Sequence, residues 1–398
     1  MSLGHGRHYL AIPGPSVMPD RVLRAMQRPA PNIYTGELVE MVPGLVADLK
    51  RVARTDGDVA IYVANGHGAW EASLANVLRR GDRMLALVTG RFGAGWGDCA
   101  ERLGARVDRL EFGLRAPVDP QRVEDALRED RDRGIRAVTM VQADTSTSVL
   151  SDVGAVREAI DAAGHPAILM VDAIACLGCD RMEMDDWGAD VVVTGSQKGL
   201  MTPPGLAFVY LSGLADDLRG GLEEVSPYWD WRPRIRPGGF YEYFWGTAPT
   251  HHLYALREAL DMIAEEGLEA VWARHEHLAR AVWAAFEAWG ERGPMQLNVP
   301  DAAHRSRAVT TLRLEAEATA GLRAWLEERA GVTLGIGLPM GLPGEEPGAG
   351  VFRVGHMGHV NAHMVMGALG AIRAGLEAQG VEIGEGGLEA AASVIAGA

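Results

Sequence analysis

The chain has 398 residues, 47% of them hydrophobic and 23% charged, the balance of a globular protein and not of a disordered or fibrous one; that length suggests about two or three domain-sized units. Its 38 Lys and Arg against 53 Asp and Glu leave a formal charge of -15, a surface that repels phosphate backbones and argues against non-specific nucleic-acid binding, while leaving room for small anionic substrates in one pocket. Three cysteines, Cys99, Cys176 and Cys179, are too few for a disulfide framework. No stretch of about eighteen uncharged apolar residues reads as a transmembrane helix, and the opening segment lacks the long apolar region of a secretory signal, so the expected compartment is the cytoplasm.

Between residues 58 and 211 short β-branched runs alternate with helix-like stretches. Strands are expected over 58–64, 83–89, 106–112, 136–142, 167–172, 189–194 and 206–211, with helices over 69–79 and near 94–103, 119–130 and 153–163. Strands separated by helices imply crossover connections, hence an α/β fold with a mostly parallel sheet covered by helices. Residues 219–249 are rich in Pro, Gly and aromatics and carry no periodicity; a loop of that length is usually functional or interfacial. Helices follow over 250–266 and 268–289, the second with Val271, Trp272, Leu278, Val282 and Phe286 on one broad face. A strand over 308–314, a helix near 316–330, a strand over 351–354 and a helix from about 361 to 378 then read as a smaller α+β domain. The expected organisation is an arm over 1–15, a large domain over 16–260 and a small domain over 261–398.

Several familiar sites are excluded by spacing. Neither Gly66-His67-Gly68-Ala69-Trp70 nor Gly93-Ala94-Gly95-Trp96-Gly97 completes GxGxxG, and GxxxxGK[ST] and GxSxG are both absent. Cys176 and Cys179 form a CxxC pair, but zinc needs two more ligands and one other cysteine exists; they read as small residues packing after a strand. His356, His359 and His363 have helical metal-ligand spacing, yet Gly355 and Gly358 interrupt a helix there, so no metal is expected. His251, His252, His275 and His277 read as ordinary surface or helix-start residues.

A different constellation remains. Gly66, His67 and Gly68 join a strand end to a helix start, where backbone N–H groups and the helix dipole cradle a phosphate. Asp172 closes a hydrophobic strand at the carboxyl edge where ligands of parallel sheets bind. Lys198 follows the next buried strand, in Gly195-Ser196-Gln197-Lys198-Gly199. A lysine, a carboxylate one strand away and a phosphate cradle are the parts that pyridoxal 5'-phosphate needs: an amine for the Schiff base and an acid to keep the pyridine nitrogen protonated.

These motifs resemble the class V aminotransferases of fold type I, most like the serine–glyoxylate and alanine–glyoxylate aminotransferases. The resemblance is carried by Val171-Asp172-Ala173, Asp186-Trp187-Gly188-Ala189-Asp190 and the run from Gly195 to Leu206. Pro13-Gly14-Pro15, Gly68-Ala69-Trp70-Glu71, Asp144-Thr145-Ser146-Thr147, the run from Leu253 to Leu260 and that from Val351 to Gly358 support it. It implies that Lys198 forms the Schiff base and moves the substrate Cα proton, that Asp172 pairs with the ring nitrogen, that Phe92 stacks on the ring and that Thr145 lies near its hydroxyl. It implies further that Gly66, His67, Gly68 and Gln197 hold the phosphate, joined by Thr247 of the neighbouring subunit of a homodimer, that Arg353 clamps the substrate carboxylate, and that Asn65 and Tyr34 lie at the substrate. Asn65 stands where related enzymes carry Ser or Thr, Tyr34-Thr35 where they carry His-Arg, and Asp144 where Glu is more usual. The expected reaction is ping-pong transfer of an amino group from serine or alanine to glyoxylate or a similar 2-oxoacid. Alternatives are a pyridoxamine–pyruvate-type aminotransferase and a lyase resembling cysteine desulfurases, the latter lacking a cysteine in the C-terminal third.

Overall fold

The computed structural model describes residues 2–338 and 348–398. A short strand, β1 (Tyr9–Ala11), precedes helices α1 (Asp20–Met26) and α2 (Glu37–Ala53). The alternating region runs β2 (Asp58–Ala64), α3 (Gly66–Val77), β3 (Arg83–Val88), α4 (Arg91–Arg102), β4 (Arg106–Glu111), α5 (Pro120–Glu129) and β5 (Ile135–Val141). It continues through the small hairpin β6 (Ala143–Asp144) and β7 (Val149–Leu150) to α6 (Val153–Ala162), β8 (Ile168–Asp172), β9 (Val191–Gly195) and β10 (Gly205–Leu211). Beyond it lie α7 (Gly213–Gly220), α8 (Arg232–Ile235), α9 (Thr250–Glu266), α10 (Leu268–Gly290), β11 (Gln296–Leu297), β12 (Val309–Arg313), α11 (Ala316–Trp325), β13 (Val332–Ile336), β14 (Val351–Gly355), α12 (Ala362–Ala378) and α13 (Gly387–Ala396).

Seven strands form one sheet in the order β2-β10-β9-β8-β5-β3-β4, with β10 antiparallel to both neighbours and the others running one way. Strands buried on both faces read as continuous apolar runs, and the pleat sends alternate residues to opposite layers. In β10, Leu206, Phe208 and Tyr210 pack with Leu45, Val156 and Leu256 of α2, α6 and α9, whereas Ala207, Val209 and Leu211 pack with Trp70, Trp96 and Trp231 on the other side. A second sheet, β1-β13-β14-β12-β11, lies against α10, α12 and α13 through Leu278, Phe286, Phe352 and Leu369. All the uniformly directed strands of the large sheet end at one edge, and β10 begins there.

The structure departs from the sequence reading at several places. Residues 9–11, expected in an arm, pair in parallel with β13 and so belong to the small sheet. Helix α2 contains Pro43 and was not anticipated, nor were α1, β13 and α13. The expected helix near 316–330 gives way to a π-helical turn at Leu326–Ala330. Within 219–249, the buried Arg234 gathers the chain: it donates to the carbonyls of Ile61 (2.7 Å), Tyr228 (2.7 Å) and Tyr243 (3.2 Å) and lies over the Tyr62 ring. His275 is not a surface residue but fully buried, one helical turn from Val271 and Leu278. Its Nδ1 donates to Val271 O and its Nε2 accepts from Gly358 N; burial pushes its pKa down to about 3, so it stays neutral. Among the described residues no helix is long and apolar enough to cross a membrane.

Phe208 is fully buried at the centre of the strand that joins β2 to β9. Phe208→Ala is expected to lower the unfolding free energy by about 3–5 kcal/mol, measured by urea denaturation; a loss below about 1 kcal/mol would contradict the central place given to this strand.

Candidate active site

The first component grows from the end of β2. Asn65 turns the chain with extended backbone, and its side-chain oxygen accepts from the N–H groups of His67 (3.1 Å) and Gly68 (3.3 Å), capping α3. A Cβ at Gly66 would approach Ile174 Cδ1 to 2.5 Å, and one at Gly68 would approach Ala64 Cβ to 2.7 Å. The helix start is therefore pressed against the sheet edge, with its positive dipole end facing the site and the His67 and Gly68 N–H groups held by the Asn65 cap.

Three strands along the sheet, Asp172 ends β8. It is 2% exposed. Its Oδ1 accepts from Ile174 N (2.7 Å) and its Oδ2 from the Trp70 indole Nε1–H (2.7 Å). Burial pushes its pKa up to about 7, while those two donors and the Lys198 charge pull the other way. The Trp70 contact was not foreseen; the only sequence signal was an aromatic one turn into the helix that follows the glycine cradle.

Lys198 sits in the turn between the antiparallel β9 and β10. Ser196 ties this turn together: its Oγ donates to Pro203 O (2.6 Å) and its carbonyl accepts from the Thr202 N–H and hydroxyl, both at 3.1 Å. Ser16 clasps the lysine backbone from outside, its N–H donating to Gln197 O (2.8 Å) and its Oγ to Lys198 O (2.7 Å). The lysine amine donates to Pro13 O, and a Cβ at Gly14 would collide with it. Burial first, and the Arg353 charge second, push the Lys198 pKa down to about 8. About a tenth of this amine is thus deprotonated at pH 7, roughly three-hundredfold more than for an ordinary lysine.

Phe92 opens α4, held by a carboxylate. Asp144 accepts from Phe92 N (2.9 Å) and Gly93 N (3.2 Å) through Oδ2, and from Ser146 N (2.9 Å) and Oγ (2.5 Å) through Oδ1. The acidic residue before Thr145 therefore anchors the aromatic as an N-terminal brace of α4. Arg353 comes from β14 of the other sheet; its Nη1 donates to Thr145 O (3.0 Å) and its Nε to Ile336 O (2.7 Å). Burial lowers its pKa to about 10, opposed by the Asp144 charge.

Asn65, Gly66, His67, Phe92, Thr145, Asp172, Gln197 and Lys198 line one cavity of about 210 Å³, closed on its sides by Trp70, Val141, Ala143, Ile174 and Ala175. Gly68 lies just behind the cradle, its N–H bonded to Asn65, and Arg353 reaches the cavity wall through Thr145. Tyr34, 82% exposed, and Thr247, also exposed, do not line it. Cys176 and Cys179 are buried and free, and Cys176 Sγ lies 2.9 Å from Gln142 Oε1. His356 follows β14, bonded to the Thr310 hydroxyl and Arg307 O, and among the described residues no His, Cys, Asp or Glu cluster could hold a metal.

The α3 N-terminus, the buried Asp172 carboxylate and the Lys198 amine of lowered basicity thus all face one cavity. The Gln197 side-chain amide lies at this wall with Oε1 buried and without a hydrogen-bond partner, so nothing in the chain fixes its orientation, and the amide turned over would present its NH2 donors to a phosphate. The family model "Aminotransferase class-V" matches residues 48–347. The chain is 37% identical to a serine–glyoxylate aminotransferase of Methylorubrum extorquens, over 98% of this chain and 96% of that one, and 34% identical to one from Arabidopsis thaliana, over 98% and 95%. The solved pyridoxamine–pyruvate aminotransferase of Mesorhizobium loti superposes with a TM-score of 0.87 at 26% identity, covering 99% of this chain and 98% of that one. The chain belongs to the class V aminotransferases, and pyridoxal phosphate is its cofactor.

Asp172 supplies a pH test. Its pKa in the folded, cofactor-free protein, about 7, is above the ordinary carboxylate value of 3.8, so the folded state binds this proton more tightly. Its contribution to stability is greatest below about 4 and falls as pH rises to about 7. The stability difference between Asp172→Asn and the native protein should therefore shift in the variant's favour between pH 4 and 7 and level off above it, as read by denaturation at several pH values. A difference independent of pH would refute the burial argument.

Proposed function

We propose that this protein moves an amino group from a small amino acid, serine or alanine, to glyoxylate or a similar 2-oxoacid by a ping-pong reaction. The observation that carries this reading is the lowered basicity of the Lys198 amine, in one cavity with Asp172 and with Arg353 at its wall. The names of the relatives supply the direction toward glyoxylate and the choice of serine. When bound, the cofactor supplies an electron sink for the charge left on Cα after a proton is removed.

The chain's own groups do the rest. Lys198 Nζ would bind the cofactor's carbonyl carbon and, once freed by the incoming amino acid, would take the Cα proton and return it across the intervening nitrogen. A base near neutrality suits both halves of that transfer. Asp172 would hold the proton on the ring nitrogen, and Phe92, at the cavity wall, would cover one ring face. The α3 N-terminus with Gln197 receives the phosphate, and the Arg353 guanidinium receives the substrate carboxylate, a planar pairing suited to it. Nitrogen is conserved: the first amino acid leaves as its oxoacid and the second oxoacid leaves as an amino acid. Thr247 acts on the cofactor of a second copy in a homodimer, a reading supported by the exposure of Thr247, Tyr34, Tyr241 and Trp245 in the isolated chain.

A second reading rests on one observation. Asn65 Oδ1 already engages the His67 and Gly68 N–H groups, the donors a phosphate would use, which favours an enzyme acting on free pyridoxamine or pyridoxal. Retention of a yellow cofactor through dialysis would decide for the phosphate-bound enzyme, and its loss for the second reading. The sulfur-transfer reading fails on its nucleophile: burial pushes the thiols of Cys99 and Cys179 up to about 11 and 12, and Cys176 well above the ordinary value.

Adding serine or alanine to the yellow protein should bleach its visible band, and glyoxylate should restore it. Lys198→Ala is expected to lower turnover by more than about a thousandfold while leaving thermal unfolding cooperative; wild-type rates would overturn the mechanism. Arg353→Ala should raise the amino-acid KM by about 10–100-fold, and an unchanged KM would remove Arg353 from carboxylate binding.

A further inference from the structure

Asp172 has four lone-pair positions on its two oxygens, and the protein fills one on each. Ile174 N takes Oδ1 and the Trp70 indole takes Oδ2, so turning the carboxylate would break both bonds. Trp70 is itself fixed: it is 2% exposed, lies parallel to Trp96 at 6.1 Å, and meets Phe92 at 6.3 Å and His67 at 4.6 Å. Packing alone does not account for where its N–H points. The neighbouring Trp96 indole in the same stack is buried with no partner for its N–H, so this core holds a tryptophan without using the nitrogen. Trp70 also sits on α3, the helix whose first N–H groups form the anion cradle. One rigid element therefore carries both the cradle and the donor that orients the acid across the cavity.

On the proposed reading of Asp172 as the partner of the ring nitrogen, we infer that Trp70 is its positioning residue: the indole N–H fixes the carboxylate's orientation and favours its ionised form. The bond is charge-assisted and withheld from water, the setting in which one hydrogen bond has its largest effect. Once Trp70 is lost, the remaining Ile174 donor leaves the carboxylate free to turn and easier to protonate, and its hold on a protonated ring nitrogen weakens.

The test is a double-mutant cycle on cofactor affinity. Cofactor-free protein is titrated with pyridoxal phosphate and followed by visible absorption, using the native chain, Trp70→Phe, Asp172→Ala and the double variant. Trp70→Phe is expected to weaken binding about tenfold in the native background and by less than about twofold beside Asp172→Ala. Equal weakening in both backgrounds would assign Trp70 to packing alone and overturn the inference, as would no weakening in either. A second measurement needs neither the cofactor nor a folded Trp70 variant. In ¹⁵N-tryptophan-labelled cofactor-free protein, one indole N–H resonance should titrate with a midpoint near 7, the Asp172 value, and should stop titrating in Asp172→Ala. Absence of such a resonance overturns the inference. Failure of the native protein to take up pyridoxal phosphate would instead overturn the proposed function, leaving the indole titration to decide the Trp70–Asp172 bond.

Discussion

Removal of water from two groups of opposite charge at one sheet edge is the constraint on which this site depends. Asp172 and Lys198 stand at the ends of adjacent strands, and burial drives both toward their neutral forms, the acid to about 7 and the amine to about 8. Neither group is locked into one protonation state near neutrality, so each responds to what enters the cavity. On the proposed reading, a protonated ring nitrogen would draw Asp172 to its ionised form, and the displaced amine would be free to accept a proton. The same groups in water would sit near 4 and above 10 and could not exchange protons with a carbon acid at comparable cost. Desolvation, set by the sheet and its two apolar layers, is thus the origin of the reactivity proposed.

Holding buried polar groups requires that their remaining bonds be met, and the structure meets them from distant parts of the chain. Asp172 takes donors from its own loop and from α3. Asp144 gathers the α4 start and Ser146, setting Phe92 at the cavity wall. The lysine turn is clasped by Ser16 from the N-terminal segment, and this segment passes on to the small sheet through β1. Arg353 crosses from that sheet to bond Thr145 O. The second sheet therefore contributes to the site directly, and the first residues of the chain link it to the lysine turn. A further tie runs through buried Asp180, which accepts from Arg307 N and the Ser306 hydroxyl.

Much of this was legible beforehand where one physical signal dominated. Strands β2, β3, β5 and β8 to β10 are largely apolar runs bounded by turn residues, whereas edge strand β4 is mostly charged and exposed; all stand close to their expected limits. The lysine turn, the glycine cradle and the aspartate at a strand end are local motifs, readable because a few adjacent residues carry the chemistry. Where sequence reading fell short, long-range contacts had won. Helix α2 carries a proline that argues against a helix, yet Leu38, Val42, Leu45 and Leu49 bury one face against the sheet. Strand β1 is three residues long and owes its form to pairing with β13. His275 looked like a helix-surface residue because its acceptors and donors, Val271 O and Gly358 N, meet it only after folding.

By itself the sequence determined the class of fold and the family and singled out Lys198 and Asp172 as candidates, because these rest on periodicity and on residues adjacent in the chain. Tertiary structure alone decided which groups surround them. The Trp70 indole reaches an aspartate 102 positions away, Ser16 clasps a lysine 182 positions away, and Arg353 approaches a carbonyl 208 positions away. Such bonds leave no periodic trace in the chain, since they are set by which strand ends the sheet order brings to one edge and by how deeply the layers bury them.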